Sequence, residues 1–367
     1  MKILISIEHP AWAHQFRNMI SELRANGHSI KVVAINKDRD IELLNIFNIK
    51  YDIISTTSGN NSLEKALIFL KTIIRIFRIS LAFKPDIYIG RASPMIAINS
   101  FLFRKPHILF EDTEHASFSL YLCKLFSCVI LTPSCFKRDL GKKQIKINTY
   151  KELFYLSPNR FNPNSLILKE IGVLPDDVFI IVRFVAFNAH HDIGQHGIID
   201  KLNLINVLEN YGKVFISSEA QLPPNLEKYK LNISPEKIHD VLFYATLCIS
   251  EGATVASESS ILGTHAFYVN TTKLGCLEEK EQRYGLVYNF SNSCTIDQEA
   301  ILKAEELLNI NNLRILGKKK RKNLLKDQID PASIMIWLIE NYPESYMSLK
   351  ANSNLQNSFK IIDTTSN

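Results

Sequence analysis

The chain has 367 residues, of which 46% are hydrophobic, and a net charge of +6. This length and apolar content predict two globular domains with a core each, and charges interrupt the longest apolar runs, which argues against a membrane-spanning helix. Lysines and arginines outnumber acidic residues by 23 to 13 in residues 1–160 and fall below them, 20 to 24, in the rest. We therefore expect the first half to meet an anionic partner, and the absence of a nucleic-acid-binding motif argues against nucleic acid.

Apolar stretches of strand length alternate with amphipathic stretches of helix length, a pattern typical of parallel α/β proteins. In the first half this pattern predicts strands at 2–7, 29–35, 51–54, 87–90, 107–111 and 128–132, and helices at 13–26, 40–47, 62–83, 95–103 and 117–126. The opening strand is too short for a secretory signal, so a cytoplasmic protein is expected.

A segment rich in proline and asparagine, SPNRFNPN at 157–164, predicts a boundary between a first domain at 1–160 and a second at 161–330. The second domain has predicted strands at 179–184, 213–217, 247–250 and 266–269, and helices at 165–171, 198–211, 238–245, 255–262 and 297–308. Residues 331–345 are predicted to form a helix that crosses between the domains, and residues 346–367 a polar, disordered tail. The expected fold class is α/β, with two doubly wound, Rossmann-like domains facing a cleft.

A turn of small residues, Gly252-Ala253-Thr254, joins a strand to a helix in the second domain. Such a turn presents unpaired backbone N–H groups and the positive end of a helix dipole, which suit a diphosphate. Glu258 lies one turn further on, on the same side as Thr254, where its carboxylate could accept hydrogen bonds from a ribose. The alternative is an ordinary βαβ corner in which small residues only allow close packing.

Two clusters of titratable residues follow strands of the first domain, where ligands of open α/β sheets bind. His14 follows the first strand and is predicted in the first helical turn, where the dipole would keep it neutral as a base. Glu111, Asp112 and Glu114 follow a later strand and could supply an acid–base pair. Packing by His14, and capping of the next helix by Asp112, are the structural alternatives.

Two further groups could face a phosphate or other anion. Arg91 ends another strand of the first domain, and in the second domain Arg183 and His190 could stabilise a departing diphosphate without a metal. We expect no bound metal, because the six cysteines form no C-x-x-C pair and the D-x-D stretch at 38–40 is interpreted as a helix cap.

Basic residues on one face of the helix at 62–83, namely Lys71, Arg75 and Arg78, are compatible with an anionic membrane surface. The alternative is the solvated face of a core helix. The run KKKRK at 318–322 is a charge cluster near a helix end and by itself predicts little.

The stretches that carry a family resemblance span about residues 1–290; they are HPAWAHQF, FEDTEHA, TYKELFYL with NPNSLILKEIGV, IIVRFVAFNAHHD and ISEGATVASESSILGT. They resemble a bacterial and archaeal family of unknown function, which is related to GT-B glycosyltransferases and to UDP-N-acetylglucosamine 2-epimerases. The resemblance implies that Gly252, Ala253 and Thr254 bind the diphosphate of a nucleotide sugar and that Glu258 binds its ribose. It also implies that the first domain binds the acceptor and that His14 is the base.

The expected function is therefore metal-independent transfer of a sugar from a nucleotide-diphosphate sugar to a glycan or lipid-linked acceptor. A UDP-sugar is the expected donor. This activity would serve surface polysaccharide or glycoconjugate biosynthesis, in the cytoplasm or on the inner face of the cytoplasmic membrane. Two alternatives stay open: a UDP-sugar 2-epimerase, and a non-catalytic partner protein that binds nucleotide sugars.

Overall fold

The computed structural model of the protein describes residues 1–36, 40–55, 61–114, 117–186, 196–218, 220–292 and 294–362. The chain divides into two compact units, one of Met1–Arg160 with Gln328–Ile361 and the other built on Phe161–Asp327. The division falls between Arg160 and Phe161, inside the segment rich in proline and asparagine.

The first unit contains a parallel sheet of seven strands with helices between them. Its elements up to residue 160 are β1 (Lys2–Ile7), α1 (Pro10–Ala25), β2 (Ser29–Ile35), α2 (Asp40–Ile46), β3 (Tyr51–Ser55), α3 (Ser62–Phe83), β4 (Ile87–Gly90), α4 (Pro94–Leu102), β5 (His107–Phe110), α5 (Ser117–Phe126), β6 (Val129–Pro133), β7 (Gln144–Ile147) and α6 (Leu153–Leu156). Leu4, Tyr88 and Ile96 are buried in one core cluster. Each large apolar side chain buried in this way stabilises the fold by about 1.5–3 kcal/mol.

The strand order of the first sheet is β3-β2-β1-β4-β5-β6-β7. The first strand pairs in parallel with β2 on one side and β4 on the other. Successive strands are therefore added on one side of β1 up to β3 and on its other side from β4 onward, so the strand order reverses between β1 and β4. In doubly wound folds ligands bind beside the carboxyl ends of the strands at this reversal. The first unit is Rossmann-like, and the residues after β1 and β4 are at its switch point.

The second unit contains a parallel sheet of five strands. Its elements are α7 (Leu166–Glu170), β8 (Phe179–Phe184), α8 (Lys201–Leu208), β9 (Lys213–Ser218), α9 (Ile238–Tyr244), β10 (Leu247–Ser250), α10 (Ala253–Ile261), β11 (His265–Val269), α11 (Gly275–Tyr284), β12 (Val287–Phe290), α12 (Ile296–Leu308) and α13 (Leu313–Asp327). The strand order is β12-β11-β10-β8-β9, so the switch point of this sheet lies between β8 and β10.

After α13 the chain rejoins the first unit. Helix α14 (Pro331–Glu340) packs on α1 and α6, and it is followed by α15 (Glu344–Ala351) and a 3₁₀ helix at Ser353–Phe359. The prediction of a disordered tail is therefore wrong up to residue 362, because local polarity hides contacts made far along the chain. Tyr346, for example, donates its hydroxyl to the carbonyl of Lys142 at 3.3 Å. Residues 363–367 lie outside the described residues.

Several elements differ from the sequence prediction at their ends. Helix α1 begins at Pro10, three residues earlier than predicted, because His9 caps it and accepts a hydrogen bond from the Ala11 amide at 3.2 Å. Helix α8 begins at Lys201 because Asp200 caps it. The sequence pattern did not predict β7, α11, β12 or α13. Within the described part of the chain, no helix combines the length and the apolar content that crossing a bilayer requires.

Candidate functional site

The switch point of the first sheet brings together residues that follow three strands. Glu8 comes directly after β1, Arg91 directly after β4, and Glu111 directly after β5. All three strands are parallel and lie within a run of three neighbours, so these residues share one edge of the sheet. The predicted site residues Glu111 and Asp112 are thereby placed beside Arg91.

Arg91 is a buried cation at the centre of this group. Its guanidinium donates to carboxylate oxygens of Glu111 and Asp112, donates to the Thr113 hydroxyl at 3.2 Å, and lies 5.8 Å from the centre of the Trp12 ring. Burial opposes a charged guanidinium, but the two carboxylates outweigh it and raise the pKa of Arg91 above its usual value. Arg91 is thus a permanent structural cation bound to its own carboxylates.

Glu111 has its hydrogen-bonding capacity filled by neighbouring groups. Besides Arg91 it accepts from the backbone amides of Ala92 at 2.9 Å, Asp112 at 3.0 Å and Thr113 at 2.9 Å. A carboxylate held by several donors at once shapes the loops after β4 and β5. The geometry favours a positioning role for Glu111 over the predicted acid–base role.

Asp112 is held as an ion by two cations. Lys151 lies 3.2 Å from one carboxylate oxygen of Asp112, and Arg91 bonds to the other oxygen. Burial alone would raise the pKa of Asp112, but attraction to Arg91 and then Lys151 outweighs burial and holds the pKa below its usual range. An aspartate of such low basicity is a weak proton acceptor at neutral pH.

Glu114 is bound by backbone and side-chain groups of the segment before β7. Its carboxylate accepts from the Lys137 amide at 3.1 Å, and its carbonyl accepts from the Arg138 guanidinium at 2.7 Å. These contacts fix the loop after β5 and leave the catalytic role of Glu114 a prediction.

His14 differs from the sequence expectation in two ways. Because α1 begins at Pro10, His14 lies beyond the first helical turn, where the dipole is weaker. The side chain is also buried, with its ring 5.3 Å from that of Phe47 and 5.5 Å from that of Tyr155. The predicted first-turn position of His14 is therefore wrong, and its role as a base stays a prediction.

Glu8 is the residue of this edge that the sequence analysis missed. One carboxylate oxygen is buried without a hydrogen-bond partner among the described residues. Burial raises the pKa of Glu8 to about 6, and the hydroxyls of Ser93 and Ser6 offset part of that rise. A carboxylate with this pKa, at a switch point, has the basicity of a general base near neutral pH. The signal was its place one residue after β1.

In the second unit, Arg183 is the second-last residue of β8 and Ser250 is the last residue of β10, at the switch point. The two residues are register partners across β8 and β10. The guanidinium of Arg183 donates to the hydroxyl of Ser217 on β9 at 2.8 Å. A partly buried cation thus stands near the carboxyl end of β8.

The turn into α10 leaves its first backbone amides available to a ligand. Gly252 is the N-cap of the helix and has extended backbone, and as a glycine it has no side chain that could accept from the first-turn amides. The Ser250 hydroxyl accepts from the Gly252 amide at 3.0 Å and donates to the Gly252 carbonyl at 2.7 Å, which fixes the turn. The amides of Ala253 and Thr254, in the first turn, have no intrahelical acceptor. A Cβ at Gly252 would lie 3.2 Å from Val185.

Glu251, immediately before this turn, binds backbone instead of ligand. Its carboxylate accepts from the amides of Val185 at 2.8 Å and Ile198 at 3.0 Å. Burial raises the pKa of Glu251 although these amides partly offset the rise. Gly197 is required beside it, because a Cβ there would come within 2.6 Å of the Glu251 side chain.

Glu258 and His239 form a buried pair at 3.0 Å between the carboxylate and the imidazole Nε2. The structure thus gives Glu258 a neighbour that the sequence did not indicate, and its predicted contact with a ribose stays a prediction.

His190, and Asp38 of the D-x-D stretch, lie outside the described residues. Among the described residues no cluster of three or more His, Cys, Asp or Glu side chains could hold a metal ion.

The chain matches one family model, described as "Protein of unknown function (DUF354)", over residues 1–344. No curated protein matches it in sequence.

Solved structures similar to the chain include a UDP-GlcNAc 2-epimerase from Neisseria meningitidis bound to UDP-GlcNAc, with TM-score 0.57, 17% identity, and coverage of 89% of this chain and 99% of that one. A UDP-GlcNAc 2-epimerase from Methanocaldococcus jannaschii has TM-score 0.59, 14% identity, and coverage of 88% and 98%. The spinosyn forosaminyltransferase has TM-score 0.63, 11% identity, and coverage of 93% and 98%. At these identities the likeness shows the fold alone. The two Rossmann-like units give the chain a GT-B-like fold, as the sequence predicted.

Proposed function

The chain belongs to the DUF354 family of unknown function, and we propose that it is an enzyme that transfers a sugar from a nucleotide diphosphate to an acceptor hydroxyl. The observation that carries the proposal is the switch point of the second sheet, where α10 begins three residues after Ser250, the register partner of Arg183. Backbone donors, a helix dipole and a guanidinium together suit the two phosphates of such a donor.

The second unit would bind the nucleotide sugar. The first-turn amides of Ala253 and Thr254 would donate to the diphosphate, and Arg183 would add a full positive charge. As the bond between the sugar C1 and the diphosphate oxygen breaks, negative charge grows on the leaving phosphate, and these fixed donors would stabilise it. Glu251 would support Arg183 by fixing the backbone that follows it. Its carboxylate accepts hydrogen bonds from the amides of Val185 and Ile198.

The first unit would supply the base. Glu8 would accept the proton of the acceptor hydroxyl as the acceptor oxygen bonds to C1, since its pKa of about 6 leaves it ionised yet basic at neutral pH. Arg91, Glu111 and Asp112 would position the loops of the same edge. This assigns the base to Glu8 in place of His14 or the acidic cluster.

Binding is tested first, by calorimetric titration of the protein with UDP and with UDP-sugars. Arg183→Ala removes a charged hydrogen-bond donor worth about 1.5–3 kcal/mol, so we expect UDP to bind roughly ten- to a hundredfold more weakly. Arg283→Ala removes an arginine from the half-exposed surface of α11 and is the matched control. Equal UDP binding by both variants would exclude the proposed diphosphate site.

Turnover is tested separately, by release of UDP from UDP-sugars in the presence of glycan or lipid-linked acceptors. Glu8→Gln should lower turnover by about 10²–10⁴ while leaving UDP binding unchanged. UDP binding without turnover for any acceptor would indicate a non-catalytic binding protein. Solvent deuterium at C2 of the recovered sugar, without an acceptor, would assign the 2-epimerase reaction instead.

A further inference from the structure

Helix α3 presents a continuous apolar stripe to solvent. The stripe consists of Leu63, Leu67, Leu70, Ile74, Phe77 and Leu81, with side chains between 36% and 72% exposed. Their spacing of four and three residues in turn places them on one face over five helical turns, a length of about 27 Å. We call these six residues the α3 stripe.

The core of the first unit does not use this stripe. The fully buried side of α3 is formed by Thr72, Ile76 and Ser80, two of which are polar. The Thr72 hydroxyl is satisfied within the helix, donating to the Ile68 carbonyl at 2.7 Å. A surface helix normally buries its apolar face and exposes its polar one. In α3 much of this arrangement is reversed, because leucines face solvent while Thr72 and Ser80 are buried. Packing of the core therefore does not explain why these leucines are present.

The apolar surface continues from α3 onto α4 and α5, which pack side by side. Phe77 lies with its ring 4.9 Å from that of Phe103, and Phe101 with its ring 5.2 Å from that of Phe126. Further exposed members on these helices are Phe101, Leu102, Phe118, Tyr121 and Leu125. We call the α3 stripe and these five residues the apolar patch. Monomeric proteins rarely expose so large a contiguous patch without a partner.

Basic residues border the patch. Lys71, Arg75 and Arg78 each follow a stripe residue by one position, so all three lie along the same flank of α3, and all are exposed. The only acidic residue of α3 is Glu64, in its first turn. Arg104, at the end of α4, is exposed as well. The surface is therefore apolar in the middle and cationic at its border.

We propose that the apolar patch docks on an anionic lipid bilayer, with α3 lying in the plane of the headgroups. The stripe would enter the boundary between headgroups and acyl chains, while the basic flank contacts lipid phosphates. The run of three basic residues from Lys71 to Arg78 favours this occupant over a second copy of the chain, because two such runs brought together would repel each other. The inference is independent of the proposed function, since it rests on residues remote in sequence from Arg183, Gly252 and Glu8. Of these three, only Glu8 belongs to the same unit as α3.

The experiment is flotation of the full chain with vesicles of phosphatidylglycerol and phosphatidylcholine, compared with vesicles of phosphatidylcholine alone. We expect binding to the anionic vesicles that weakens as salt rises. In Arg75→Glu/Arg78→Glu we expect affinity to fall by about thirtyfold or more, because each basic residue near an anionic surface contributes about 1 kcal/mol. Leu70→Ser/Ile74→Ser removes two stripe residues and should abolish binding.

Matched controls come from the second unit. Lys319→Glu/Lys322→Glu reverses two exposed charges at the same spacing on α13, and Leu302→Ser/Ile315→Ser removes two exposed apolar side chains. Both controls should bind anionic vesicles like the wild type, and thermal unfolding should show all four variants folded. Failure of the wild type to float, equal loss in the control variants, or a shift of the Leu70→Ser/Ile74→Ser variant from dimer to monomer without any vesicle binding would overturn the proposal.

Discussion

The proposed role of Glu8 as a base would come with a cost in stability. Its carboxylate is ionised at neutral pH in a place where burial opposes ionisation, which is why its pKa rises to about 6 from the usual 4.5. In the unfolded chain the same group ionises freely. A raised pKa means that the fold is relatively stable below the unfolded value and loses that stability as pH rises through about 6. An ionised Glu8 is thus held in place by the rest of the fold.

Replacing this residue should therefore stabilise the protein while removing activity. At pH 7.5, Glu8→Gln should raise the free energy of unfolding by about 1–2 kcal/mol, since a shift of one pKa unit corresponds to about 1.4 kcal/mol. At pH 4.5, where Glu8 is protonated, the gain should largely disappear. Urea unfolding at both pH values measures the difference, with Glu42→Gln, at an exposed position of α2, as the control. An equal effect of Glu8→Gln at the two pH values would contradict the assignment.

For single residues, the sequence predicted positions in the fold better than it predicted functional roles. It placed Glu111, Asp112 and Arg183 at the ends of strands, where the structure has them, because strand ends can be derived from apolar periodicity. Their roles depend on contacts across the fold, such as the bonds from Arg91 to Glu111, 20 residues away. The burial that distinguishes Glu8 is likewise set by neighbouring strands, and no local pattern encodes it.

Among the helices, α13 shows how a charge run can be structural. Lys318 donates to the carbonyls of Phe243 and Leu262, both at 2.7 Å, and Arg321 donates to the carbonyl of Ile261 at 2.8 Å. These carbonyls lie at the last turns of α9 and α10, where cations are favourable. Burial lowers the pKa of Lys318 well below its usual value. The KKKRK run therefore fastens α13 across two helix ends.

This fastening depends on close approach at Gly317. A Cβ at that position would lie 2.1 Å from the Gly263 carbonyl oxygen, so Gly317→Ala must push α13 away from the end of α10. We expect the free energy of unfolding to fall by about 1–3 kcal/mol, as for other overpacked sites. Asn323→Ala, at an exposed site of the same helix, should be neutral or slightly stabilising. Thermal unfolding of both variants measures the effect, and equal stability would show that α13 adjusts without cost.

Elements were predicted where the apolar period was long and missed where it was short or masked by charge. Helix α13 was missed because basic residues occupy much of its surface, and the short strands β7 (QIKI) and β12 (VYNF) because a polar residue interrupts each apolar run. Helix α1 was predicted three residues short because His9 is an uncommon cap. Its true start moves His14 out of the first turn, so an error at an element's end removes one argument for a catalytic His14.

For the whole molecule, the sequence predicted two parallel α/β units and could not predict their strand orders. Those orders decide which strands adjoin a switch point, since β1 lies next to β4 and β8 next to β10. Pairing between strands distant in sequence is set by packing of the whole unit. The proposed diphosphate site depended less on strand order, because Gly252, Ala253 and Thr254 form a local turn.

Each unit also carries a buried histidine that should make the molecule sensitive to acid. Burial lowers the pKa of His107 and of His265 to about 3 from 6.5, and Lys320 contributes at His265. Below pH 6.5 the unfolded chain binds protons that the fold rejects, so stability falls as pH decreases from there toward 3. At pH 5 each histidine should cost about 2 kcal/mol relative to pH 7.5.

Urea unfolding of His107→Gln and His265→Gln at pH 7.5 and pH 5 measures this sensitivity. Whatever each substitution does to stability at pH 7.5, we expect the loss between the two pH values to shrink by about 2 kcal/mol in each variant. A loss as large as in the wild type would assign the acid sensitivity to other groups.

The return of residues 328–361 to the first unit bears on how the protein is synthesised. Helix α14 begins at the cap Asp330, which also binds Arg160, and Thr149 donates to the Ile329 carbonyl at 3.0 Å. The ribosome makes these residues only after all of Phe161–Asp327. At translation rates of about 5–20 residues per second, the surface of α1 that receives α14 waits roughly ten to thirty seconds uncovered. The first unit is therefore completed only after the second unit has been made. Until then the uncovered surface of α1 is where chaperones would bind.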